Sequence, residues 1–128
     1  MIKIIIDNPI LIYVDDDHIL LKVLRIQLEE FFDVITFHDA MEAYEHIKNL
    51  NHDNFTLLTD YKMPQMNGTD LIEKVHAIKP NSKKILLTAF YDKLDAARVE
   101  HICAAVMDKN MLKNLNELVG KIKTIIAS

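Results

Sequence analysis

Five short apolar runs, separated by segments long enough to form helices, limit what this chain can fold into more than any other feature. The runs are Ile10-Leu11-Ile12-Tyr13-Val14, Val34-Ile35-Thr36-Phe37, Phe55-Thr56-Leu57-Leu58-Thr59, Lys84-Ile85-Leu86-Leu87-Thr88 and Ala104-Ala105-Val106-Met107. The central ones are apolar throughout rather than alternating, as expected of strands buried on both faces of a parallel sheet. Between them, apolar residues recur at helical spacing. Leu20, Leu24, Leu28 and Phe31 mark a first helix, and Ala40, Ala43, Tyr44 and Ile47 a second that Asp39 is placed to cap. Leu71, Ile72, Val75 and Ile78 mark a third, closed by Pro80. Asp92 to His101 reads as a weakly amphipathic fourth helix, with Leu94, Ala97, His101 and Ile102 inward. Leu112, Leu115, Val119, Ile122 and Ile126 define the last. Strands alternating with helices predict an α/β, doubly wound sheet covered on both faces.

The tips of these strands carry the chemistry. In a parallel sheet every strand ends on the same rim, where open α/β folds bind ligands. Asp15-Asp16-Asp17 follows the first strand, Asp60 the third, Thr88 the fourth and Lys109 the fifth. Adjacent carboxylates repel one another unless a cation or a cap absorbs their charge. A hard divalent ion such as Mg²⁺ takes one or two carboxylates and bridges to phosphate oxygens. Asp17 stands where the first helix begins and reads as its cap; on a plainer reading the whole triplet is cap and solvated turn. Acids for a metal, an acid as nucleophile, a hydroxyl and an ammonium together suit phosphoryl transfer through an acyl phosphate.

Other chemistries find little support. Two glycines, Gly68 and Gly120, leave no Gly-rich phosphate loop. Six scattered histidines show no metal-ligand spacing. The net charge of −4 does not favour nucleic acid. Apolar runs of five or six residues are far short of a membrane span. One cysteine, Cys103, excludes an internal disulfide, and with no signal peptide legible at the N-terminus it suggests a cytoplasmic protein. The chain of 128 residues reads as one domain over 10–128 preceded by an extension, residues 1–9. That extension is either a tail packed on the sheet or an edge strand for self-association.

Asp15-Asp16, Asp60-x-x-Met63-Pro64-x-x-x-Gly68, Thr88-Ala89 and Lys109 together resemble the receiver domain of bacterial two-component response regulators, from about Ile10 to Ile126. The resemblance implies a flavodoxin-like five-stranded sheet in the order 2-1-3-4-5. It implies that Asp60 accepts a phosphoryl group from a sensor histidine kinase or phosphotransfer protein, and that the domain then changes partner binding. Asp15, Asp16, Asp60 and the backbone carbonyl of Lys62 would hold Mg²⁺, and Thr88 and Lys109 would meet the phosphoryl oxygens. Self-phosphorylation from small phosphodonors, autodephosphorylation and a phosphorylation-dependent dimer belong to the same expectation. The chain departs from the family in the fifth-strand region. Asn110 replaces the usual proline after the lysine, Val106 stands where a switch aromatic is common, and Asp108 adjoins Lys109. Phe90 and Tyr91 are the aromatics left to move, together with the fourth helix. Two other readings stand beside this one: an interaction module that keeps the fold without phosphorylation, and a phosphatase of the haloacid dehalogenase type.

Overall fold

In a computed structural model of the protein, residues 8–89 and 93–128 are described, apart from the side chains of residues 93 and 94. Phe90, Tyr91 and most of the N-terminal extension thus lie outside the described residues. The elements alternate in chain order: β1 (Ile10–Val14), α1 (His18–Leu28), β2 (Asp33–Phe37), α2 (Ala40–Lys48), β3 (Thr56–Asp60), α3 (Gly68–Ile78), β4 (Lys83–Thr88), α4 (Lys93–Ala97), β5 (Ala105–Asp108) and α5 (Leu115–Ala127). A short 3-10 helix over Lys109–Lys113 joins β5 to α5. The five strands are all parallel in the order β2-β1-β3-β4-β5, as the resemblance implies. The strand carrying Asp60 is therefore central, flanked by the strands that lead to Asp15 and Thr88.

Alternation along each strand divides the core in two. Leu11, Tyr13, Leu58, Ile85 and Leu87 point to one face and pack with α1 and α5. Ile12, Val14, Leu57 and Leu86 point to the other and pack with α2 and α3. Side-chain oxygens close the helix starts. Asp39 Oδ1 accepts from the backbone N–H groups of Met41 and Glu42, and Asn67 and Asn114 cap α3 and α5. Lys84, fully buried on β4, runs to the end of α3, where its Nζ donates to the carbonyl oxygens of Lys79 at 3.1 Å and Pro80 at 3.3 Å. These are carbonyls with no further helical partner, so the ammonium serves as a C-terminal cap.

Several inward faces differ from the expectation. Leu24 and Leu28 are buried as expected, but Leu21 and Phe32 are buried where Leu20 and Phe31 are only half-buried, so the apolar face of α1 and the turn after it is shifted at its two ends. Ile78 is 37% exposed, and Leu118 rather than Leu115 lies deepest in α5. The fourth helix is the largest correction. It ends at Ala97 rather than His101, and Ala96 and Val99 are its buried anchors while Ala97 and His101 face outward.

Polar contacts hold α4 to its neighbours. The Tyr61 hydroxyl donates to Asp95 Oδ2 at 2.5 Å and the Thr69 hydroxyl to the same oxygen at 3.0 Å. Arg98, just beyond α4, pairs with Asp95 at 2.6 Å, with Asp70 at 3.1 Å and with Glu73.

Candidate functional site

Asp60 is the last residue of β3, with only 5% of its surface exposed. Its Oδ1 accepts from the Tyr61 backbone N–H at 2.9 Å, and its Oδ2 lies 3.1 Å from Lys109 Nζ. Asp15, one residue beyond β1, is fully buried. Lys109 Nζ lies 3.3 Å from its Oδ2, so one ammonium bridges the acids of two strand tips. Asp16 is exposed at the mouth. Thr88, the last residue of β4, is buried and lines the same cleft of about 750 Å³ as Asp16, Asp60, Lys62 and Lys109. The fold thus brings every residue singled out on the four strand tips to one rim.

The electrostatics follow from this crowding. Burial, and next the Asp15 carboxylate, push the Asp60 carboxyl up to about 6 against the opposing pull of Lys109. Burial disfavours the Lys109 ammonium, but Asp15 and Asp60 outweigh it and hold its pKa above the ordinary value. An excess of negative charge therefore remains after the one cation is counted. One oxygen each from Asp15, Asp16 and Asp60 falls within 4.8 Å of the others. An all-carboxylate set with one ligand open to solvent fits a hard divalent cation such as Mg²⁺, which keeps several of its waters.

Asp17 stays out of this set. Its Oδ1 accepts from the backbone N–H groups of Ile19 at 3.1 Å and Leu20 at 3.0 Å and so caps α1. With Asp17 committed to the helix, the acids next to Asp60 are Asp15 and Asp16, not the Asp-x-Asp pair of a dehalogenase-type phosphatase. Asp17→Ala is expected to cost about 1 kcal/mol of stability and to leave Mg²⁺ affinity unchanged, whereas Asp16→Asn weakens Mg²⁺ binding with little effect on folding. Calorimetric titration with thermal unfolding of both variants checks this; equal Mg²⁺ affinities would mean the wrong acids were chosen.

The loop after Asp60 owes its course to Gly68. Its N–H donates to the Tyr61 carbonyl at 2.7 Å, and a Cβ on Gly68 would stand 2.3 Å from the Asp60 carbonyl oxygen. Past the lysine, Asp108 Oδ1 accepts from the Asn110 backbone N–H at 2.8 Å and opens the 3-10 helix. No peptide bond among the described residues is cis, so the Lys109–Asn110 link is trans. The acid beside Lys109 thus caps the turn that carries the lysine.

Two features at the rim were not read from the sequence. The Tyr13 hydroxyl donates to Asp15 Oδ2 at 2.7 Å from within the core. His18, the first residue of α1, and His38, just past β2, meet with tilted rings whose centroids are 4.4 Å apart. Tyr13 was legible, because a strand period of two places residues 13 and 15 on the same face. The histidine pair was not, because it depends on how the first turn of α1 stands against the chain leaving β2.

Comparison with known proteins agrees with the geometry. The response regulator receiver domain profile matches residues 10–123. A CheY-like receiver domain from Methanospirillum hungatei JF-1 superimposes with a TM-score of 0.85 at 29% identity, covering 94% of this chain and 95% of its own. The chemotaxis protein CheY1 of Helicobacter pylori strain J99 is 36% identical over 69 residues, 52% of this chain and 55% of that protein. The CpxR homolog of Haemophilus influenzae, a transcriptional regulatory protein, is 32% identical over 91% of this chain and 49% of its own length. The chain spans about half the length of these curated relatives. With its parallel sheet, its acidic rim and a profile match over most of its length, the chain belongs to the response regulator receiver domain family.

Proposed function

We propose that this domain is a signalling switch that takes a phosphoryl group on Asp60 from a sensor histidine kinase or a phosphotransfer protein. The observation that carries the reading is Lys109 Nζ bridging Asp15 and Asp60 beside the Thr88 tip, in a cleft open to a donor. An Asp60 carboxylate oxygen forms the new bond to phosphorus as the donor's phosphorus–nitrogen bond breaks. Lys109, already within ion-pair distance of Asp60, meets the charge on the transferred oxygens, and the Thr88 hydroxyl donates to another of them. Mg²⁺, held by Asp15, Asp16, Asp60 and the Lys62 carbonyl, supplies further charge neutralisation when bound. Small phosphodonors serve in place of the protein donor, and water later removes the group. Incubation with acetyl phosphate and Mg²⁺ is expected to add one phosphoryl mass, located at Asp60 and absent in Asp60→Asn. Wild-type labelling of that variant would defeat the assignment to Asp60, whereas no labelling of the wild type would favour an interaction module that works without phosphorylation.

The partner side of the proposal rests on α1. Ile19 and Ile26 are 78% and 67% exposed, and Val23 lies between them on the same face at helical spacing. Such a stripe is costly to leave in water and marks a docking face. It begins beside the acid tip of β1, where a protein donor must approach to reach Asp60. Ile19→Glu is expected to slow transfer from a cognate protein donor tenfold or more while leaving labelling by acetyl phosphate unchanged. Equal slowing of both would place Ile19 in the domain's own stability instead. In the cell we place the domain in the cytoplasm, where such donors and Mg²⁺ are present; no described helix is long and apolar enough to cross a membrane.

A further inference from the structure

Tyr13 is a core residue with a polar task. Its ring is fully buried in one apolar cluster with Leu24, Leu58 and Leu118 on the α1/α5 face of the sheet. Its hydroxyl reaches the rim from below and donates to Asp15 Oδ2 at 2.7 Å. A phenol–carboxylate bond of that length is charge-assisted and directional. Asp15 has two other donors: Lys109 Nζ at 3.3 Å on the same oxygen, and the Asp17 backbone N–H at 3.0 Å on Oδ1. Oδ2 is thus occupied twice, and Oδ1 keeps a free lone pair. Lys109 makes the longer of the two contacts on Oδ2, and it is shared with Asp60.

We propose that Tyr13 is a positioning residue for the cation site: its hydroxyl fixes the Asp15 carboxylate so that Asp15 faces Asp16 and Asp60. The proposal rests on the reading of these acids as a Mg²⁺ site. Without the phenol, the carboxylate turns toward the shared ammonium and its free lone pair leaves the set. Hydrogen bonds of this kind, one bond removed from the ion, are worth 10- to 100-fold in metal affinity.

The test is Mg²⁺ titration by calorimetry, without phosphodonor, on wild type, Tyr13→Phe, Asp15→Asn and the double variant. Tyr13→Phe keeps the ring and is expected to raise the Mg²⁺ Kd about tenfold, with no further loss when added to Asp15→Asn. An unchanged or tighter Kd overturns the proposal, and so does an equal loss in the Asp15→Asn background, which would mean the hydroxyl acts by a route other than Asp15. A second readout leaves Tyr13 in place. The tyrosine absorption change at saturating Mg²⁺ should survive Tyr61→Phe and vanish in Asp15→Asn; absence of any such change in the wild type also overturns the proposal. Failure to bind Mg²⁺ in the wild type removes the proposed function as well, whereas a normal Kd in Tyr13→Phe removes only the role of Tyr13.

Discussion

Gly68→Ala is expected to destabilise the domain by about 3 kcal/mol, lowering its melting temperature by roughly 10 °C. The cause is local and rigid. The added Cβ would meet the Asp60 carbonyl oxygen at 2.3 Å, the Asp60 carbonyl carbon at 3.1 Å and Leu86 Cδ1 at 2.9 Å. The leucine has rotamers to spare; the backbone of a central strand, hydrogen-bonded on both sides, has none. The strain therefore falls on the residue proposed as phosphoacceptor, and labelling by acetyl phosphate should slow even under conditions where the variant is folded. Thermal unfolding of Gly68→Ala beside Gly120→Ala is the measurement. Gly120 meets nothing within 4 Å, so its substitution is expected to be neutral or stabilising within a helix. Equal melting temperatures for the two variants would show that the start of α3 yields easily.

The second large effect is the stability of Asp60→Asn without metal. The Asp60 carboxyl titrates near 6 in the fold, above its ordinary value of 3.8. For an acid raised in this way, the folded state holds its proton after the unfolded chain has released it. Stability contributed by the protonated form is thus lost as pH climbs from about 4 through about 6. At pH 7 the ionised group costs up to about 3 kcal/mol, and Asn removes that cost. In chelated buffer Asp60→Asn is expected to melt above the wild type at pH 7, with the difference shrinking toward pH 4. Excess Mg²⁺ should then reverse the order, since a ligand at about 1,000 times its Kd adds about 4.1 kcal/mol and the variant binds it poorly. A variant less stable than wild type in chelator at pH 7 would show that the Lys109 pair outweighs burial and the repulsion from Asp15.

The strands were legible because buried parallel strands announce themselves as apolar runs, and the rim followed because parallel strands share one end. The departures have physical reasons. Leu20-Leu21 and Phe31-Phe32 are apolar doublets, and periodicity cannot choose within a doublet; the angle at which α1 lies on the sheet does. The α4 stripe was legible only in part: Ile102 packs against the core as expected, but the helix ends at Ala97, so helical spacing carried on to His101 misplaces it, and Ala96 and Val99 are buried while Ala97 and His101 face outward. The acids, Thr88 and Lys109 were visible as residue types on strand tips. The bond from Tyr61 to Asp95 joins positions 34 apart and was not visible at all. The oddity at Asp108 is a local matter: with no proline after Lys109, an acid that caps the following turn fixes the lysine's backbone in another way.

The tethering of α4 has a consequence for how the domain responds to ionic strength. Arg98 and its partners Asp70 and Glu73 are 41–44% exposed on their side chains, and Ala96 and Val99 are the fully packed apolar anchors of the segment among the described residues, with Ile102 and Cys103 half-buried beside them. The Debye length shrinks from about 30 Å at 0.01 M salt to about 3 Å at 1 M. Over that range the attachment of α4 weakens while the sheet, held by apolar burial, does not. Salt thus acts on this segment much as a selective denaturant would. Hydrogen exchange near residues 95–103 should accelerate with salt at constant global melting temperature, giving α4 an opening equilibrium of its own.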